Sequence, residues 1–188
     1  YHKKSLEIKE SFIKYAQKTE EYLEELKPII KEKQEFFRKL AKRFYPNNAS
    51  GITVYNNEGE NQQRYTIEAK IESDNSDGIN NFKIFCYDMT MLFKGYGHNI
   101  KFSFHDSRLF DGIDEKHKAE IFKVVNELFN GTDYQYIATV NQNQLNEIKS
   151  ILTEQEYKEI IEKNTILTLT DEDDSEKLLG IKVDVGYE

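Results

Sequence analysis

Residues 101–114 read KFSFHDSRLFDGID. Phe102 and Phe104 stand two apart, as on one face of a strand, and the alternation stops at His105–Asp106. A strand ending in an acidic, Gly-containing turn places its acid at a sheet edge, where open α/β sheets bind ligands. Asp106 can therefore hold a metal, a nucleotide or only the turn. The flanking segments bear on which.

Upstream, ITVYNNEGENQQRYTIEAKIES (52–73) predicts two strands joined by a turn at Asn56–Asn57–Glu58–Gly59. Ile52 and Val54 alternate on the first, and Tyr65, Ile67, Ala69 and Ile71 on the second. DNSDG (74–78) stops the strand and can cap a helix. In that helix Ile79, Phe82, Phe85, Cys86, Met89, Leu92 and Phe93 recur at threes and fours up to Gly95, and Cys86 reads as core. The opening strand is placed at 100–105. A helix follows at 115–129, carrying Ile121, Phe122, Val125, Leu128 and Phe129. YQYIATV (134–140) reads as the next strand, apolar enough to be central. Helical stretches are predicted at 144–151 and 154–163. TILTLT (165–170) and LLGIKVDVGY (178–187) read as two last strands around the acidic turn DEDDSEK.

Ahead of the loop YPNNASG (45–51), residues 5–44 have helical composition. Phe12, Ala16, Leu23, Leu26, Ile30, Phe37, Leu40 and Phe44 fall on one seam, with Lys9, Thr19 and Lys33 as polar exceptions. Pro28 either kinks this helix or opens a second one. The division predicted is a coiled-coil-like arm, 1–44, and an α/β lobe, 45–188.

Composition narrows the classes. Residues 1–45 carry 12 Lys/Arg against 8 Asp/Glu, and residues 46–188 carry 14 against 26. A lobe this acidic argues against a broad nucleic-acid surface, and mixed-sign charge on a long helix reads as a solvated face. One cysteine excludes an internal disulfide and fits a cytoplasmic location. No stretch approaches the roughly 20 apolar residues of a membrane span. The chain opens at Tyr1 inside a charged helical pattern, which predicts a piece of a longer protein.

SDGINNFKIFCYDMTML (76–92) followed by IKFSFHDSRLFDGID (100–114) resembles a bacterial domain-of-unknown-function family, numbered 2326. That family forms the C-terminal end of coiled-coil ATPases related to SMC proteins and RecN. The resemblance spans roughly residues 30–145. It implies the C-terminal lobe of an ABC-type ATPase head, a mixed sheet flanked by helices. Ser76-Asp77-Gly78 stands where such heads carry a Ser-Gly-Gly signature that meets ATP held by the other subunit. A hydroxyl, a glycine and unpaired N–H groups at a helix N-terminus suit a phosphate; Asp77, in place of the second glycine, does not unless it points away. An ordinary N-cap accounts for the same letters.

By the same resemblance Asp106 is the Walker B aspartate, holding Mg²⁺ through water. The next residue is normally a catalytic Glu and here is Ser107. A general base is worth about 10²–10⁴ in rate, so either hydrolysis is slow or another acid, Asp111 being nearest, takes the role. FDGID (110–114) stands at the D-loop, from which Asp114 would reach across a dimer. Asn141, or next Gln142, stands at the γ-phosphate switch; a loop that is polar because it is exposed accounts for the same residues. No G-x-x-x-x-G-K-[ST] phosphate loop occurs, so an ATP site needs an N-terminal lobe from elsewhere.

The partners implied are that lobe and a second copy of the protein, with DNA a target of the whole machine and no membrane. Two rivals belong to other classes. His105, Asp106, Asp111, Asp114 and His117 lie within thirteen positions, as in metal-dependent phosphohydrolases, although only His2 and His98 remain to complete a cage. A catalytically silent dimerisation module accommodates both Ser107 and Asp77. His117, beside charged neighbours near a helix start, is expected to be exposed.

Overall fold

The computed structural model describes residues 2–57, 63–170 and 172–180. The chain is α/β: a long helix α1 (His2–Phe44), a hairpin of β1 (Ser50–Asn56) and β2 (Tyr65–Ile71), and helix α2 (Asp77–Lys94). Then come β3 (Phe102–His105), a 3-10 turn Ser107–Phe110, α3 (Glu115–Phe129), β4 (Gln135–Ala138), α4 (Gln142–Ile151) and α5 (Glu154–Ile160).

Two helix starts follow their caps. Asp114 caps α3 by accepting the His117 N–H at 3.0 Å, and Thr153 with Glu156 boxes the start of α5. α1 runs through Pro28 as one helix, so neither a break nor a second helix occurs there. Proline removes one backbone bond, to Glu24, and both residues are exposed, so water can serve the freed carbonyl.

The lower part of α1 belongs to the core: Phe37, Leu40, Ala41 and Phe44 are buried with Ile52 and Ile71 of the hairpin and Phe82, Phe85, Cys86 and Met89 of α2. The hairpin lies along the helix, where Asn56 Nδ2 donates to the Ala16 carbonyl at 3.1 Å and Gln34 Nε2 to the Ile52 carbonyl at 2.8 Å. Thr19, a polar exception on the predicted seam, is buried and donates to the Tyr15 carbonyl. Phe12, at the far end of the seam, is exposed. Arg43 reaches both Glu120 and Glu127, fastening α1 to α3.

β1 and β2 pair antiparallel, with Ile52 opposite Ala69 and Val54 opposite Ile67. The hairpin turn predicted at 56–59 lies partly outside the described residues. β3 and β4 form a separate parallel pair, Phe102 opposite Gln135 and His105 opposite Ala138. Among the described residues that sheet has two strands, so neither is central, contrary to the reading of 134–140. Residues 165–170 are not a strand either. Ile166, Leu167 and Leu169 are exposed, and no described strand offers them a ladder to join. The last predicted strand lies mostly outside the described residues. No described helix is long and apolar enough to cross a membrane.

Candidate site at the ends of β3 and β4

β3 turns its faces opposite to the simplest expectation. Phe102 and Phe104 are 54% and 53% exposed, while His105 is buried at 6%. The His105 ring sits between two partners, with Nε2 2.9 Å from Asp88 Oδ2 and Nδ1 2.9 Å from the Tyr136 hydroxyl oxygen. The tautomer that satisfies both donates from Nε2 to the carboxylate and accepts the phenol proton at Nδ1. Burial, and then the Asp88 charge, push the Tyr136 phenol well above its usual range, which keeps it a donor. His105 is thus committed to the core and is not turned toward Asp106.

Asp106 follows the last residue of β3, is exposed, and caps the 3-10 turn by accepting the Arg108 N–H on Oδ1 at 2.8 Å. Beside it the end of β4 continues the pairing: the Thr139 N–H donates to the His105 carbonyl at 3.1 Å, and the Ser107 N–H to Thr139 Oγ1 at 3.1 Å. Asn141 caps α4 two residues further on, exposed like Gln142, whose amide bonds Asn146 on its own helix. Asp106 and Asn141 therefore close two adjacent parallel strands at their C-terminal ends.

Asp111 lies after the 3-10 turn, and its Oδ1 accepts from Gln144 Nε2 at 3.1 Å. Gln144, a buried amide, and Asn81, which donates to the carbonyls of Arg108 and Asp111, were not singled out by sequence reading. The Asn141–Gln144 spacing of a capping box is a signal that could have found the first. Asp88 and Tyr136 are distant in sequence and carry no local signal.

At the start of α2, Ser76 is the N-cap but makes no capping hydrogen bond and is exposed. Gly78 is buried, not at the surface as expected of a phosphate-facing turn. A Cβ there would meet the Gly112 carbonyl oxygen at 2.5 Å, and Gly112 itself holds φ +70°. The FDGID turn thus packs on the first turn of α2. Asp114 does not project freely: its carboxylate takes the His117 backbone N–H and the His117 ring Nδ1. Partial burial pushes that carboxyl upward, but the His117 ring and backbone bonds outweigh it and hold it below the usual range. His117 in turn bonds the Phe44 carbonyl at 3.0 Å through Nε2 and packs against Tyr45 and Phe82, so it is partly buried rather than exposed.

Among the described residues no group of three or more His, Cys, Asp or Glu side chains is placed to hold a metal ion. A groove of about 490 Å³ between α1 and β1 includes none of these residues.

These features define an α/β protein with a parallel strand pair closed by an acid and an amide, next to an uncapped helix start. The family model for an uncharacterised protein conserved in bacteria (DUF2326) matches residues 40–183, and the chain belongs to that family. No curated protein matches the chain.

Proposed function

We propose that the chain is the C-terminal half of an SMC-like, ABC-type ATPase head, cytoplasmic, which completes an ATP site with an N-terminal phosphate-loop lobe and a second copy. The observation that carries this reading is the β3–β4 pair: parallel neighbours whose C-terminal ends hold Asp106 and Thr139–Asn141, bonded to each other through Ser107 and Thr139. That is the edge at which parallel sheets bind nucleotides. Parallel sheets are normally covered on both faces, and the exposed Phe102 and Phe104 leave an apolar face for a further lobe.

The residues suit the groups they would meet. Asp106 spends one oxygen on the Arg108 N–H and keeps the other at an exposed edge, as a carboxylate holding hydrated Mg²⁺ requires. Mg²⁺, bound with ATP, supplies charge neutralisation at the phosphates. Asn141 is a neutral donor suited to sensing a terminal phosphate. Asp111, one oxygen held by Gln144, is the acid available to orient water in place of the missing Glu. Ser76, free of capping, is the signature residue that would meet ATP in trans. Gly78 contributes by seating α2 on Gly112. DNA as target of the whole machine follows from the resemblance alone, since the lobe is acidic.

A silent dimerisation module is the second reading. Ser107 after Asp106 and the engagement of Asp114 by His117 within one chain favour it. Titration of the full-length polypeptide with Mg-ATP separates the two: binding with slow hydrolysis supports the ATPase head, and no nucleotide binding supports the module.

A further inference from the structure

Gln144 is only 6% exposed, although it lies in the first turn of a surface helix. Its bonds leave one arrangement of the amide. Oε1 accepts the Asn141 N–H at 3.1 Å, and Nε2 then donates both protons, to the Ser107 carbonyl and to Asp111 Oδ1, each at 3.1 Å. A capping box needs only the acceptor. The two donated bonds go to the loop that follows Asp106.

A second amide grips that loop from the other side. Asn81, in the first turns of α2, donates through Nδ2 to the Arg108 carbonyl at 3.2 Å and the Asp111 carbonyl at 2.9 Å. Residues 107–111 therefore hang between the start of α4 and the start of α2, and Asp111 is held by both. The cap bond joins Asn141 to Gln144. From Gln144 the bonds continue to the Asp111 carboxylate and, through Asn81, to the helix start that carries Ser76. This is one contiguous set of bonds rather than mere proximity.

We infer that Gln144 is a positioning residue: it sets the Asp111 carboxylate from the phosphate-facing end of α4 and ties that setting to the signature end of α2. The chemical role rests on the ATPase-head reading above; the mechanical tie belongs to this chain.

Gln144→Glu tests it, with Gln144→Ala beside it. Glutamate keeps the shape and the acceptor for Asn141, since Glu and Gln serve equally at that capping position. As a carboxylate it cannot donate to Ser107 or Asp111. In the full-length polypeptide with Mg-ATP, both variants should lower kcat by about 10²-fold, the effect of a misplaced catalytic group, with KM for ATP nearly unchanged. Restoration of wild-type kcat by Glu would show a cap alone and overturn the inference. Hydrogen exchange of the present chain reads the tie without nucleotide: Gln144→Glu should speed exchange at Asp111 and at Asn80 and Asn81 on α2. Changes confined to α4 would overturn the tie. A wild-type protein that hydrolyses no ATP, with exchange altered on α2, would remove the ATPase reading and Gln144's role in hydrolysis while supporting the tie. An active protein indifferent to Gln144→Glu would remove the Gln144 inference alone.

Discussion

A side chain of any size on Gly78 would lie against the carbonyl oxygen of Gly112, 2.5 Å from its Cβ, so these two glycines set how closely α2 meets the turn into α3. Backbone, not a flexible side chain, is what the new atom would meet. Gly78→Ala should therefore destabilise the chain by about 1–3 kcal/mol, and Gly78→Val by more. Ser76→Ala, two residues earlier, should stay within about 0.5 kcal/mol, because Ser76 makes no capping bond to lose. Urea unfolding midpoints measure both; an unchanged midpoint for Gly78→Val would refute the close approach.

Phe104 is half exposed on the outer face of β3, whereas Phe85 is fully buried. Phe104→Ser should cost the isolated chain under about 1 kcal/mol, against about 3–5 kcal/mol for Phe85→Ala. In the full-length polypeptide the same Phe104→Ser change should destabilise much more, since the proposed lobe covers this face. Equal effects in the two contexts would mean that nothing packs there.

Tyr136→Phe removes the phenol bonded to His105 Nδ1 and leaves a buried ring nitrogen without its donor. The expected loss is about 1–3 kcal/mol by thermal or urea unfolding. A neutral result would show that water reaches His105.

Asp114 gives a pH signature. Its folded carboxyl is held below the ordinary range, so the stabilisation is present above the unfolded value near pH 4 and is lost as pH falls through the folded value. Asparagine still caps a helix but carries no charge. Asp114→Asn should lower stability at pH 7 by about 0.5–1 kcal/mol, and the gap should close on acidification. A gap that stays constant down to pH 3 would assign the loss to geometry instead of charge.

The parts of the fold legible in the sequence were those with local signals. α2 starts at Asp77 after Ser76, α3 starts after Asp114, and the two strands of the hairpin pair as predicted, although Tyr65 and Ile67 on the second are exposed. What escaped depends on partners distant in the chain. Phe102 and Phe104 alternate as a buried face would, yet His105 turns inward because Asp88 and Tyr136, 17 and 31 residues away, receive its ring. Residues 165–170 have the pattern of a strand but no described strand to pair with. At the site, Asp106 and Asn141 were readable from the polar ends of two strands. Asn81 was not, since an amide's worth appears only once three segments converge, and Gln144 left only its capping-box spacing from Asn141. Gly78 was read as open to a ligand because proximity to Gly112, 34 residues on, leaves no mark in either turn.

Calorimetry of the full-length polypeptide with Asp106→Asn addresses the proposal that Asp106 holds Mg²⁺ for ATP. Asparagine retains an oxygen for the Arg108 N–H, so the 3-10 turn should be intact and unfolding unchanged. Wild-type protein should bind ATP more tightly with Mg²⁺ than without, and Asp106→Asn should abolish this difference while leaving Mg-free binding in place. A wild-type protein that binds no ATP, or an Asp106→Asn variant with the full Mg²⁺ effect, would contradict it.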